Sequence, residues 1–574
     1  MEATNLSKIK RDKLLSTISE IKKNITDENT LNNLSLIENE LTKKKYGLIW
    51  EEHEEDVDIK LRNSIPVFVE DKSREIKKCE NDNYNFIIEG DNLHSLYLLN
   101  KTHAGKVDVI FIDPPYNTGA KSWKYNNAYV DNNDGYRHSK WLSFMSNRLK
   151  YAKNLLSDDG VIIVTIDDYE VHTLGLLMDE IFGEENHMST LVIESNPRGR
   201  TSDPFFATSH EYYLYYAKNA SKAKFFNMEL SEEQKALFKL EDEVSPYRLL
   251  PLRKSGAASR RHERPTQYYP IYVRTNDLEM STHKFSEECV EVWPIDESGE
   301  ERVWRFGIKN CEENLKTHNF VAVKKADNKY TIYQKDRIKI SRKPKTMWID
   351  PKYDASAHGT ILISNILGKR NAFDYPKSLY AVIDSLSVLL REKKDAIVLD
   401  FFAGSGTTGH AILEMNKKDN GKRRYILCTN NENNICEEIT YERMKNVILG
   451  YKDEKNNSIE GLESNLKYYK TSYIPRINSD EENLHNNLLK YIKTLIQLDN
   501  SIEIDNKKIK VYLEESEFDK MMEDNKQLEE CEKIYVSSDI LLTQQQEKLI
   551  EDNNIELYII PEYYFKDEIM EVNE

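Results

Sequence analysis

Two stretches of the chain, about 84–230 and about 372–450, share one rhythm: a strand-sized apolar run followed by a helix-like stretch. In the first, NFIIEGD leads into NLHSLYLLNK, VDVIFID follows, WLSFMSNRLKYAKNLL precedes GVIIVTIDD, and HTLGLLMDEIFG precedes EYYLYYAK. In the second, DAIVLDFFAGSGTTGHAILEMN is followed by RRYILCTNNEN and by EEITYERMKNVIL. That alternation predicts α/β architecture with a parallel sheet. Between the two, residues 231–350 lose the rhythm and become basic, aromatic and strand-like. Residues 1–62 are polar with Leu14, Leu15, Ile18, Ile21 and Ile25 at helical spacing, which predicts a helical arm. The tail, 451–574, is acidic and mixed, opening on KDEKNN and closing on ELYIIPEYYF.

A chain of 574 residues exceeds what one hydrophobic core organises and should hold roughly two to four domains. Its longest apolar runs are far below a membrane span, and MEATNLSKIKRDK has no apolar signal core, so a soluble cytoplasmic protein is expected, with no membrane partner. The six cysteines form no C-x-x-C pair, so neither a zinc site nor a disulfide framework is expected, and no metal. A net charge of −17 opposes a nucleic-acid partner on average, yet 247–274 (YRLLPLRKSGAASRRHERPTQYYPIYVR) is strongly basic, and local field matters more than the total.

Two motifs carry chemistry. The strand-like run VDVIFI stops at Asp113-Pro114-Pro115-Tyr116. A carboxylate followed by a proline carbonyl offers two acceptors, which match the two N–H groups of an exocyclic amine such as adenine N6. Holding both hydrogens out of plane frees a lone pair otherwise conjugated into the ring. Pro114 biases Asp113 toward an extended shape, and the Pro-Pro pair stiffens the loop that aims both acceptors. Tyr116 can stack on the base, worth about 1–3 kcal/mol. The second motif, Gly404-Ser405-Gly406-Thr407-Thr408-Gly409, follows the strand AIVLDFF and opens a helix, the setting in which G-x-G-x-x-G binds a nucleotide-like ligand. Glu432, after the next strand, is placed for ribose hydroxyls. Dinucleotide and S-adenosylmethionine enzymes both use such a loop, and an amine-holding tetrapeptide favours the methyl donor. No G-x-x-x-x-G-K-[ST] is present, so an ATPase is not expected.

Taken in order, GDNLHSL, Asp113-Pro114-Pro115-Tyr116 and, far downstream, FFAGSGTTG resemble the β-class amino-methyltransferases of DNA, and in particular the modification (Mod) subunits of type III restriction-modification systems. KYGLIWEEHEE, VTIDDYE, SHEYYLYYAKN, RRHERPTQYYPIYV, FDYPKSL and NLKYYKTSYIP support the resemblance over most of 45–475. It implies a Rossmann-like S-adenosylmethionine-dependent methyltransferase sheet in circularly permuted order: a catalytic half (63–230), an inserted target-recognition domain (231–350), a cofactor half (351–450), and helical or mixed extensions (1–62 and 451–574), the last for dimerisation or partners. S-adenosylmethionine is the implied cofactor. Asp91, otherwise a plain helix cap, would meet its adenine, and Asp400 its methionine amino group. Thr407 and Thr408 would meet its carboxylate, Lys377 and Ser378 would close over its methionine end, and Phe402 with Gly404 and Gly406 completes the set. Arg248, Arg253, Lys254, Arg260, Arg261 and Arg264 would meet DNA phosphates or guanine edges.

Asp-Pro-Pro-Tyr, against the Ser-Pro-Pro-Tyr of cytosine-N4 enzymes, implies adenine N6 in a base flipped out of double-stranded DNA. The implied partners are a second copy of the chain and a helicase-nuclease restriction (Res) subunit. Three other readings stay open: a nicotinamide oxidoreductase, a non-catalytic specificity subunit, and a solitary methyltransferase. Asp167 and Asp168 are read as caps of the next helix, Trp141, Leu142, Met145 and Leu149 as core, and His210 as structural.

Overall fold

The apolar runs pair into one sheet of ten strands, and the order of those strands sets where the two motifs meet. The computed structural model describes all residues except 1–5, 43–49, 81–82, 120–123, 126–127, 132, 202, 231, 326–328, 340, 371, 477–480, 505–507 and 574. Parts of the N-terminal arm, including 45–49 of KYGLIWEEHEE, thus lie outside the described residues. The strands are β1 (Ser64–Glu70), β2 (Tyr84–Glu89), β3 (Val107–Ile112), β4 (Leu156–Ile166), β5 (His187–Ile193), β6 (Glu211–Ala217), β7 (Met347–Trp348), β8 (Ile397–Asp400), β9 (Arg424–Thr429) and β10 (Asn465–Pro475). Their spatial order is β1-β10-β2-β9-β8-β3-β4-β6-β5-β7.

From β10 to β4 every neighbouring pair is parallel, and β6 alone runs against both of its neighbours, β4 and β5. The two sequence halves therefore meet at the centre, where Val398 and Leu399 of β8 pair with Val109 and Ile110 of β3. From that pair the chain continues outward in opposite directions, from β8 to β9 and from β3 to β4. A ligand crevice opens at the carboxyl ends of the strands at such a reversal.

Both faces are covered, as continuous Val/Ile/Leu runs require. Helices α1 (Asn92–His103), α2 (Arg137–Leu155) and α3 (Val171–Phe182) bury Leu96, Leu99, Trp141, Met145, Leu149 and Leu177 against Ile110, Ile112, Ile162 and Leu399. Strand residues of opposite parity, among them Val109, Phe111 and Val398, are as fully buried. Helices α4 (Leu379–Leu390), α5 (Thr407–Asp419) and α6 (Glu442–Leu449) follow in the second α/β stretch, with α4 packed on α5 and α5 on β9.

The sheet runs past the expected boundary at 450. Strand β10, within NLKYYKTSYIP, sits between β1 and β2, antiparallel to one and parallel to the other, and buries Leu466, Tyr468 and Tyr469. After it, α7 (Glu481–Asn500) packs on β1, and three parallel strands, Ile509–Tyr512, Lys533–Ser537 and Glu556–Ile560, form a small sheet.

The chain divides into two compact units, 227–344 and the remainder. Residues 345–350, expected in the insert, belong to the larger unit because Met347 and Trp348 pair with Val192 and Ile193. The smaller unit holds an antiparallel four-stranded sheet and a three-stranded one around Leu252, Tyr269, Ile271, Trp304 and Ile332. Its ends run side by side: Met228 pairs with Arg342 and Glu229 with Ser341. Among the described residues no helix is long and apolar enough to cross a membrane.

Candidate active site

Strand β3 delivers Asp113 to the carboxyl edge of the sheet, one step beyond Ile112. Its carboxylate accepts a hydrogen bond from Thr165 Oγ1 at 2.6 Å, at the end of neighbouring β4, and faces Lys377 Nζ at 2.9 Å. Trp141 Nε1 donates to the Pro115 carbonyl at 2.7 Å and pins the loop from α2. No group among the described residues donates to the Pro114 carbonyl. Asp113 and Pro114 thus present adjacent acceptors on a braced turn.

Lys377 joins several groups. Its ammonium donates to the Tyr116 hydroxyl at 2.5 Å and to Glu211 Oε2 at 2.8 Å, besides Asp113. Burial would lower its pKa, but the carboxylates of Asp113 and Glu211 outweigh burial and hold it above the usual lysine range. Burial, together with those same two carboxylates, pushes the Tyr116 phenol well up, so it stays neutral. Its hydroxyl also donates to Glu211 at 3.1 Å, which fixes the ring. The backbone beneath Lys377 is fixed as well: a Cβ on Gly359 would lie 2.4 Å from the Pro376 carbonyl oxygen, so only glycine permits this close approach. Lys377, expected at the cofactor's methionine end, is bonded here to the Asp113 carboxylate. Ser378 is buried and donates to the Lys352 carbonyl at 2.7 Å.

Beside β3, β8 ends at Asp400 and runs into the glycine loop. Gly404 (φ +47°) and Gly406 (φ +76°) occupy the left-handed region, which bends the chain directly into α5. Asp400 braces that bend, accepting the Phe402 N–H at 3.0 Å and the Thr408 hydroxyl at 2.6 Å. Burial raises its pKa to about 7, against the pull of those two hydrogen bonds. The Thr407 hydroxyl is also turned inward, accepting from the fully buried Arg443 at 2.8 Å, and burial lowers that guanidinium to about 9. With both hydroxyls engaged, the loop presents its backbone N–H groups at the start of α5, which have no intrahelical partner.

Asp91 caps α1 through the Leu93 N–H at 2.8 Å and keeps partly exposed contact with Arg148 at 3.4 Å. Asn92 ties α1 to the Phe401 carbonyl at 2.9 Å. Arg148, fully buried, also holds Glu55 at 2.6 Å and lies 3.6 Å above the Phe144 ring, which in turn packs on Phe402 at 5.8 Å. Glu432 lies half-buried in a turn three positions beyond β9. Carboxylates thus flank the glycine loop along one edge, at the ends of β2, β9 and β8.

Sequence reasoning missed Thr165, Glu211, Arg148 and Arg443. Glu211 had one signal, an acidic residue opening an otherwise apolar strand in SHEYYLYYA. Neither Asp167 nor Asp168 caps α3, whose N-cap is Glu170 with no side-chain cap bond: Asp167 accepts the Tyr169 N–H at 3.0 Å in the turn before the helix, and Asp168 accepts from the Tyr212 hydroxyl at 2.9 Å. Burial raises Asp167 to about 6.

In the smaller unit, the basic residues are largely paired. Arg248 meets Asp336 at 2.7 Å, Arg260 meets Glu300 at 3.0 Å, Arg261 meets Glu301 at 2.9 Å, and Arg253 donates to the Ile295 carbonyl at 2.6 Å. Lys254 and Arg264 have no side-chain partner among the described residues. The acidic run 296–301 therefore offsets much of the positive charge that 247–274 shows as sequence.

The family model for DNA methylases matches residues 107–442, from β3 to the start of α6. The chain is 32% identical over 427 residues to the EcoPI Mod subunit, a type III restriction-modification enzyme of Escherichia phage P1, covering 68% of this chain and 65% of that one. It is 33% identical over 394 residues to the type II methyltransferase M.KpnI of Klebsiella pneumoniae, covering 67% and 90%. It is 28% identical over 449 residues to the StyLTI Mod subunit of Salmonella typhimurium, covering 71% and 63%. The alignments thus span just under two thirds of the length of these two Mod subunits. With a matched segment that joins the Asp113 strand to the glycine loop in one sheet, the chain belongs to the DNA methylase family.

Proposed function

We propose that this chain is a site-specific DNA methyltransferase that moves a methyl group from S-adenosylmethionine to adenine N6 of a base flipped out of double-stranded DNA. We infer further that it serves as the modification and recognition subunit of a type III restriction-modification system in the cytoplasm, as a homodimer with a restriction (Res) helicase-nuclease subunit. One observation carries the reading: Asp113 and Pro114 end the strand paired directly with the strand that ends in the glycine loop.

The residues fit the cofactor. Unpaired N–H groups at the start of α5 suit a carboxylate, Asp91 and Glu432 suit adenine or ribose, and Asp400 suits an amino group. S-adenosylmethionine, when bound, supplies a methyl made electrophilic by its sulfonium. The chain's own residues prepare the acceptor. Asp113 and the Pro114 carbonyl take the two N–H groups of the amine and draw nitrogen toward tetrahedral geometry. Its lone pair is then free to form the new N–C bond. The proton that becomes acidic on methylation has Asp113 as its nearest acceptor. Tyr116, held by Lys377 and Glu211, offers a fixed ring for stacking.

The test is modified-base sequencing of DNA from a methylation-free host expressing the chain, beside its Asp113→Ala variant. Methyladenine at one short sequence, absent in the variant, is expected. S-adenosylmethionine binding should persist in the variant, and methylation that persisted there would remove Asp113 from the mechanism.

A further inference from the structure

The hairpin between β5 and β6 carries Phe205 and Phe206, 90% and 89% exposed, the most exposed large apolar side chains among the described residues. Its stem is built. Arg200 and Thr208 form an antiparallel bridge, with the Arg200 N–H donating to the Thr208 carbonyl at 2.9 Å, and the Asn196 N–H donates to the Ser209 carbonyl at 3.0 Å. Asp203 accepts the Thr208 N–H at 2.9 Å, and Pro204 restricts the backbone just before the two rings. Arg198 and Arg200 are exposed, and neither is salt-bridged among the described residues.

The hairpin also has a defined place. It returns into Glu211, the carboxylate that holds Lys377 and Tyr116. Because β6 runs antiparallel to β4, pairing Tyr212 with Ile166, the hairpin leaves the sheet from the edge that carries Asp113. Contiguous exposed apolar surface of this kind marks an interaction site.

We propose that Phe205 and Phe206 are a wedge that enters the base stack of the DNA duplex where the target base leaves it. The proposal rests on the DNA-methyltransferase reading above. Extruding a base breaks its pairing and stacking, and aromatic wedges offset that loss by filling the step they open. Arg198, in the turn that the Gly199 N–H closes on the Asn196 carbonyl, and Arg200, at the bridge, suit the flanking phosphates. The braced stem means that little ordering remains to be done on binding.

The experiment compares the full chain with its Phe205→Ala/Phe206→Ala variant on two duplexes carrying the methylated sequence found by sequencing. One has the target adenine paired with thymine, and the other has it opposite an abasic site, where extrusion is already easy. The variant should lose roughly ten- to hundredfold in kcat/KM on the paired duplex and recover on the abasic one, with S-adenosylmethionine binding unchanged. Equal rates of variant and parent on both duplexes, or an equal loss on both, would overturn the wedge while leaving the methyltransferase reading intact. A changed sedimentation state with an unchanged rate on paired DNA would assign the rings to a second copy of the chain and overturn the wedge too. A parent chain that methylates no DNA would remove the reading on which the proposal rests.

Discussion

A lysine ammonium enclosed by two carboxylates and a phenol is held there by them, since burial alone would drive off its proton. Lys377→Met leaves Glu211 and Asp113 close together with no cation between them, and breaking a buried pair from one side costs about 3–5 kcal/mol. Denaturant unfolding should show that loss, and adding Glu211→Gln should recover most of it. Methyl transfer should stay low in the double variant, because Tyr116 and Asp113 have lost the donor that fixes them; activity that returned with stability would make Lys377 a purely structural residue. Asp400 makes a pH-dependent case. Its folded value, about 7, lies above the ordinary 3.8. The folded chain therefore keeps a proton that the unfolded chain releases between those values, and stability falls as pH rises through that window, with the full penalty above it. Asp400→Asn should raise the melting temperature of the cofactor-free protein at pH 8, by a free energy on the order of a few kcal/mol, and the gain should shrink toward pH 4. The same variant should bind S-adenosylmethionine more weakly; an equal melting shift at both pH values would refute the burial argument. The placement of Asp113 and Asp400 at strand ends was legible in the sequence because each closes a contiguous apolar run. Thr165 and Glu211 were not, because their role comes from strands brought beside Asp113 only by folding.

At the scale of elements, the glycine loop and α5 form one device in which a left-handed backbone at Gly406 turns the chain so that the helix starts at the sheet edge. Gly406→Ala adds a methyl 3.4 Å from Thr440, which the packing nearly accepts, and forces a left-handed conformation that costs roughly 1–2 kcal/mol outside glycine. The expected result is a lower melting temperature with a larger loss of S-adenosylmethionine affinity, measured by calorimetry, because the free N–H groups at the start of α5 would turn with the backbone. Unchanged affinity would mean that the loop is only a turn. This device was legible in the sequence because strand, glycines and helix are consecutive. The neighbours of β2 were not: β10 lies far downstream, beyond a boundary drawn where the charge pattern changes, and only hydrogen bonding to β1 and β2 makes it part of the sheet. The ion pairing of the basic stretch in the smaller unit was hidden in the same way, since Asp336, Glu300 and Glu301 are remote in sequence and adjacent in space.

For the whole molecule, permuted order places the acceptor-holding loop and the glycine loop on sequence segments separated by an independent unit, yet on neighbouring strands. The order demands that the intervening unit leave and return without disturbing the sheet, and its two ends do run side by side, Glu229 opposite Ser341 and Met228 opposite Arg342. A two-residue Asn-Gly turn closes an antiparallel pair of this register. Replacing residues 230–340 by Asn-Gly should therefore leave a chain that unfolds cooperatively and still binds S-adenosylmethionine, because the larger unit keeps its sheet and its buried core. It should no longer methylate one particular sequence, since Lys254 and Arg264, with the rest of the basic stretch, go with the removed unit. Sequence-specific methylation that survived the excision would move recognition to the larger unit. A shortened chain that failed to fold would show that the two units share stability, and that insertion at this hairpin was never neutral to the sheet.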